Sequence, residues 1–276
     1  MRENARVPRQ PTIVFVHAPP DDEALLTAGT MARAADEGLR VVLVVATDGA
    51  AGLTDAALAP HLALHRRAEL ASSADILGVH RLVSLDYPDS GLHGEVPGSF
   101  AHEDRFAIAR RIGEVLDDED AALVVGYDPS GGYGHPDHLQ VHRAVRAATV
   151  LARRPPVLFE ATLPREPIAR AVRAAHALHL TPGDFDPAAF DHAWTPSRDI
   201  THRVDVRRYL AQKTAALRAH ASQATADGTT RTLAVLTRVP GPVRSLLLGT
   251  EYYVRISGTG RPSNTASTRQ TTSEAS

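Results

Sequence analysis

The chain has no cysteine, a single tryptophan and a single lysine, Lys213. Without cysteine there can be no disulfide, no thiolate metal ligand and no cysteine nucleophile. Nowhere do about 20 apolar residues run together, so no membrane-spanning helix is expected. The opening MRENARVPRQP lacks the apolar centre of a signal peptide, and the expected location is the cytoplasm. A net charge of −2 gives no strong field toward nucleic acid or an anionic membrane, and neither is expected as a partner. Three common motifs are also missing. No G-x-G-x-x-G follows the first strand-like run, and no P-loop or G-x-S-x-G turn occurs. Dinucleotides, nucleotide phosphates and serine-esterase chemistry are thereby set aside.

What is present suits one large domain: 276 residues, 43% hydrophobic and 22% charged. Apolar runs at 12–17 (TIVFVH) and 41–46 (VVLVVA) read as buried parallel strands. Further strands are expected at 81–85, 121–126 and 156–160. Helical spacing marks one helix from Asp22 to Gly38 and others at about 62–77, 105–116 and 135–152. This alternation predicts an α/β fold: a Rossmann-like, doubly wound, mostly parallel sheet with helices on both faces. Beyond about residue 165 the pattern weakens to helices near 169–179 and 206–222 and a strand near 252–256. We expect an N-terminal extension over 1–11, one domain over 12–257, and a disordered Ser/Thr-rich tail over 258–276.

In such sheets ligands sit beyond the carboxyl ends of the strands. The segments there are 17–23 (HAPPDDE), 47–54 (TDGAAGLT), 86–93 (DYPDSGLH) and 127–138 (YDPSGGYGHPDH), all polar. Asp21, Asp22 and Glu23 could simply complement a helix dipole. Adjacent carboxylates could equally divide labour, one binding metal and one taking a proton. His135 and His138 stand three apart at a helix start marked by Pro136, so both imidazoles can leave one face. They read either as a solvated pair or as metal and proton-transfer groups.

VFVHAPPDDEALLTAGTMA followed by YDPSGGYGHPDH resembles the PIG-L (LmbE-like) family of zinc-dependent de-N-acetylases, including those of mycothiol metabolism. The resemblance spans about 12–150 and resumes at 213–223, where Ala-His-x-Ser-Gln is the marker. It implies Asp22 and His138 as ligands of zinc or another divalent metal, and Asp21 as general base. It further implies His135 as the group that protonates the leaving amine or steadies the oxyanion, with Asp137 orienting it. Tyr133 is implied at the oxyanion, and Arg66 and Asp89 at the substrate. The implied partner is a small N-acyl amino sugar or its conjugate, and a homo-oligomer is left open.

The family motif His-Pro-Asp-Asp-Glu reads here Pro19-Pro20-Asp21-Asp22-Glu23. Pro19 therefore replaces the first metal-binding histidine, whereas a catalytic zinc normally has three protein ligands. His17 and His142 lie a strand step and a helical turn away from the site, too displaced to take its place. Zinc is expected to bind weakly, and hydrolysis to be impaired or replaced by binding without turnover. Glutamates that the family often carries after the second strand are also missing from Gly49-Ala50-Ala51-Gly52.

Overall fold

Thr12–His17 (β1) occupies the middle of a seven-stranded sheet. Apolar side chains on both of its faces leave it no solvent side. A computed structural model describes residues 10–49, 62–91, 94, 96–179, 186–220 and 239–257. The expectations for residues 1–9, 50–54 and the tail from 258, and the last residues of the Ala-His-x-Ser-Gln marker, lie outside these.

From β1 the chain runs through helices α1 (Asp22–Leu26) and α2 (Ala28–Asp36) to strand β2 (Arg40–Thr47), then α3 (Leu62–Ile76) and β3 (Arg81–Tyr87). It returns across β1 through α4 (Arg105–Asp118) to β4 (Ala121–Tyr127), then α5 (Pro136–Leu151), β5 (Val157–Thr162) and α6 (Arg165–Ala177). β6 (His202–Asp205), α7 (Leu210–Ala219), α8 (Gly241–Leu248) and β7 (Thr250–Arg255) complete it. The strand order is β3-β2-β1-β4-β5-β7-β6. The first five strands are parallel, with Val14 opposite both Val42 and Val124. β7 runs antiparallel to β5 and to β6, so the sheet is mixed.

Alternate residues of β1 enter two cores. Val14 and Val16 pack with Ile108 and Ile112 of α4 and Val141 and Val145 of α5. Phe15 packs with Met31, Leu43, Leu70 and Leu217, under α2, α3 and α7. Each fully buried side chain of this size contributes about 1.5–3 kcal/mol, which fixes the register against a one-residue slip.

The single helix expected from Asp22 to Gly38 is broken at Thr27, whose φ of −135° is not helical. Its hydroxyl donates back to the Glu23 carbonyl at 3.3 Å and meets His17 Nε2 at 2.8 Å. Such side-chain bonds compete with the helix ladder. Two elements have no counterpart among the expected ones. β6 is a short edge strand whose exposed residues carry no alternation, and α8 leaves Leu246 and Leu247 in solvent. Among the described residues no helix is long and apolar enough to cross a membrane.

Candidate active site

The chain steps outward from β1 to β2 and β3, then back to β4 on the other side. Two loops therefore part beyond the carboxyl ends of β1 and β4, where such sheets open a crevice. The β1 loop carries Pro19 to Glu23, and the β4 loop carries Asp128 to His135. α5 starts at Pro136, with His135 as its N-cap.

The glycines of the β4 loop provide its sharp path. Gly131, Gly132 and Gly134 all have positive φ. Asp128 secures it by accepting hydrogen bonds from the backbone N–H groups of Ser130 (3.0 Å) and Gly132 (3.1 Å). Trp194 seals it from outside. Its backbone N–H donates to the Gly132 carbonyl at 2.8 Å, and its ring would stand 2.7 Å from a Cβ at position 132.

His138 is fully buried, and its Nδ1 meets the Gly131 carbonyl at 3.1 Å. An Nδ1–H donating there leaves the Nε2 lone pair pointing into the crevice, the arrangement a metal-binding imidazole uses. Nε2 lies 2.5 Å from Asp22 Oδ2, yet has no partner in hydrogen-bond geometry. The two groups form a close buried pair, an ion pair when His138 is protonated. Tyr127 stacks on His138 at 4.1 Å and donates its hydroxyl to Asp22 Oδ2 at 2.9 Å. Burial pulls the Asp22 pKa upward, but His138 and Tyr127 outweigh it and hold the carboxyl below its usual value. Burial pulls His138 downward, and Asp22 outweighs that and raises it.

Pro19, on the same loop as Asp22, offers no side-chain lone pair. Both ring nitrogens of His17 are engaged, Nδ1 with the Tyr127 hydroxyl at 3.2 Å and Nε2 with Thr27. His142 Nδ1 sits 3.0 Å from the Tyr127 carbonyl and 3.3 Å from Glu160. Among the described residues, no group of three His, Asp or Glu side chains could hold a metal. The donor set therefore matches two vertices of a catalytic zinc and does not fit a site with three protein ligands.

Around this pair stand the proton-handling groups. Burial, then the charge of Asp22, pushes Asp21 up to about 8, so the adjacent acids are held in opposite protonation states at neutral pH. Asp21 sits at φ 144°, a conformation that non-glycine residues rarely adopt. His135 Nδ1 accepts the Asp137 backbone N–H at 3.2 Å, which places the proton of the neutral ring on Nε2. The Asp137 carboxylate itself accepts from the Ser90 N–H at 3.2 Å. The hydrogen bond between these two residues thus runs through the Asp137 backbone, and the carboxylate ties the Asp89–Ser90 turn to the start of α5. The Tyr133 ring packs edge-on to His138 at 5.5 Å and to His135 at 6.0 Å. Burial raises its pKa, so its hydroxyl stays protonated and able to donate.

Arg66 and Asp89 are both buried, 3% and 5% exposed. Burial lowers the Arg66 pKa, and the charges of Asp21 and Asp89 oppose that. Gly49 makes room for Arg66, since a Cβ there would lie 2.4 Å from Arg66 Cδ. The first residue of the altered β2 loop is thus steric, while 50–52 lie outside the described residues. Tyr127, Glu23 and His220 also belong to the site, although no site role is assigned to them from the sequence. Glu23 is visible there as the third acid of its loop, and His220 as the histidine of the second motif.

Residues 14–149 match the PIG-L family, described as GlcNAc-PI de-N-acetylase. The 1D-myo-inositol 2-acetamido-2-deoxy-alpha-D-glucopyranoside deacetylase of Acidothermus cellulolyticus is 35% identical over 91% of this chain and 90% of its own. The protein of that name from Streptomyces griseus is 38% identical over 78% and 76%. The solved N,N'-diacetylchitobiose deacetylase of Pyrococcus horikoshii shares the fold, with a TM-score of 0.58 at 21% identity over 89% of this chain and 83% of that one. From these matches, the chain belongs to the PIG-L family.

Proposed function

We propose that this chain binds an N-acyl amino sugar, or a conjugate of one, and hydrolyses its amide only slowly, on a deacetylase scaffold that has lost one of three metal donors. The observation carrying this reading is the pairing of Asp22 Oδ2 and His138 Nε2 at 2.5 Å inside a ring of Asp21, Tyr133 and His135. The names of the relatives, deacetylases of an N-acetylglucosaminyl inositol, support the substrate class.

In this reading Arg66 and Asp89 contact the sugar. The Tyr133 hydroxyl donates to the amide oxygen, where negative charge develops. His135 Nε2–H steadies the developing oxyanion beside Tyr133, and Asp21 takes a proton from the attacking water and passes it to the leaving nitrogen as the C–N bond breaks. Asp21 is mostly protonated at pH 7, which slows the first of these transfers. Zinc or another divalent metal binds weakly through Asp22 and His138. The partner is a small molecule in the cytoplasm, and neither membrane nor nucleic acid takes part.

Pro19→His tests the reading. Amine release from N-acetylglucosamine glycosides and N-acetylglucosaminyl inositol, with zinc supplied, should rise at least about 100-fold over the parent. A variant that folds and binds zinc yet cleaves none of these amides overturns the deacetylase reading. One specific observation, the donor count of two, favours a second reading: sugar binding without turnover. Saturable affinity of the parent for the same glycosides, with no amine released at high zinc, would select it.

A further inference from the structure

Two groups at the site have no part in the chemistry above. Glu23 is fully buried on the first turn of α1, and His220, 3% exposed, follows the last turn of α7. Glu23 Oε1 accepts the Ser73 hydroxyl of α3 at 2.7 Å and meets His220 Nε2 at 2.6 Å. Its other oxygen, Oε2, accepts the backbone N–H of Asp21 at 2.9 Å. The carboxylate thus ends on the one residue of this loop whose backbone is forced to φ 144°.

We propose that Glu23 and His220 are positioning residues that hold Asp21 in its unusual conformation. The consequence for catalysis rests on the deacetylase reading, whereas the strut itself does not. Stability alone is a poor reason for such a pair, because desolvating two charged groups cancels most of their attraction. A conformation that costs on the order of 1–3 kcal/mol persists only where its surroundings over-determine it. Here three elements far apart in the chain converge on one carboxylate, and that carboxylate grips the strained residue. His220 lies 197 positions from Glu23, so the motif in the second half of the sequence acts on the first loop. Its hydrogen bond to the site is made to Glu23, and its charge also reaches Asp21.

Amide hydrogen exchange read by NMR on the full-length protein tests this without requiring activity. In His220→Gln the Asp21 amide should exchange at least about tenfold faster, while Val14, Phe15 and Val16 in β1 stay within about twofold. Ser73→Ala, which removes a neutral donor and spares the ion pair, should give a smaller change of the same local kind. It serves as the test if His220→Gln does not fold. An Asp21 amide already unprotected in the parent, or one that rises in step with β1, overturns the proposal. In the Pro19→His background, His220→Gln should lower kcat about tenfold with KM within about twofold. A change in KM alone also overturns it. If Pro19→His itself cleaves nothing, the deacetylase reading fails, and the exchange data still decide the positioning.

Discussion

At the scale of single residues, the site is a set of buried acids that their neighbours hold in different states. Asp22 is kept ionised by His138 and Tyr127, whereas Asp21, one residue away, lacks such partners and keeps its proton to about pH 8. Glu160, further along the same end of the sheet, is pushed up to about 7 by burial, with Arg146 opposing at 2.9 Å. A carboxyl whose pKa rises on folding binds more protons folded than unfolded. Its contribution is therefore most favourable below about pH 4.5 and declines as pH climbs to 7. Glu160→Gln should then be more stable than the parent by on the order of 1–2 kcal/mol at pH 8, and nearly equal to it at pH 5. Urea unfolding at the two pH values measures the gap, and a gap independent of pH would contradict the assignment. Asp21, Asp22, Tyr133, His135 and His138 are legible in the sequence because each lies in a loop just past a strand end. Tyr127 stands first in the 127–138 segment, but nothing in the sequence shows its hydroxyl reaching Asp22. Asp137, expected to orient His135, meets it through its backbone N–H. A spacing of two does not tell whether a side chain or its backbone makes the bond.

At the scale of elements, the late part of the chain braces the early part. Lys213 of α7 and Glu251 of β7 are both about 1–2% exposed and pair at 2.5 Å. Glu251 also accepts the backbone N–H groups of Gly29 and Thr30, each at 2.8 Å, at the start of α2. Removing one partner of a buried pair strands the other. Lys213→Met should cost about 3 kcal/mol, seen as a melting temperature roughly 5–10 °C lower. A loss below about 2 °C would mean that the remaining backbone and hydroxyl donors, Gly29, Thr30 and Tyr253, satisfy Glu251. Little in the sequence foretells this bracing. β7 reads as a strand, but its antiparallel pairing with β5 is a tertiary fact without a local signal. The break at Thr27 is hidden likewise, because the apolar spacing runs on through it while a hydroxyl and His17 interrupt the ladder. β1 and β2 are legible because a parallel strand buried on both faces leaves a continuous apolar, β-branched run.

At the scale of the whole molecule, the fold brings the polar loops after β1 and β4 to one end, around the Asp22–His138 pair. The surroundings of that pair resemble a working site. The imidazole tautomer is set by Gly131, the carboxylate is ionised, and a tyrosine and a second histidine stand beside them. In the proposed reading, proline at position 19 leaves that site two donors, an expectation that comes from the alignment of one five-residue motif. The engagement of His17 and His142 elsewhere is a tertiary fact, since their partners Tyr127 and Glu160 come from other strands. Metal retention tests the two-donor reading most directly. Purified parent and Pro19→His proteins would be loaded with zinc, dialysed against a mild chelator and assayed for bound metal. Far less than one zinc per chain should remain in the parent and close to one in Pro19→His. One zinc retained by the parent, or none gained by a folded Pro19→His, would contradict the assignment of Pro19 to the missing vertex.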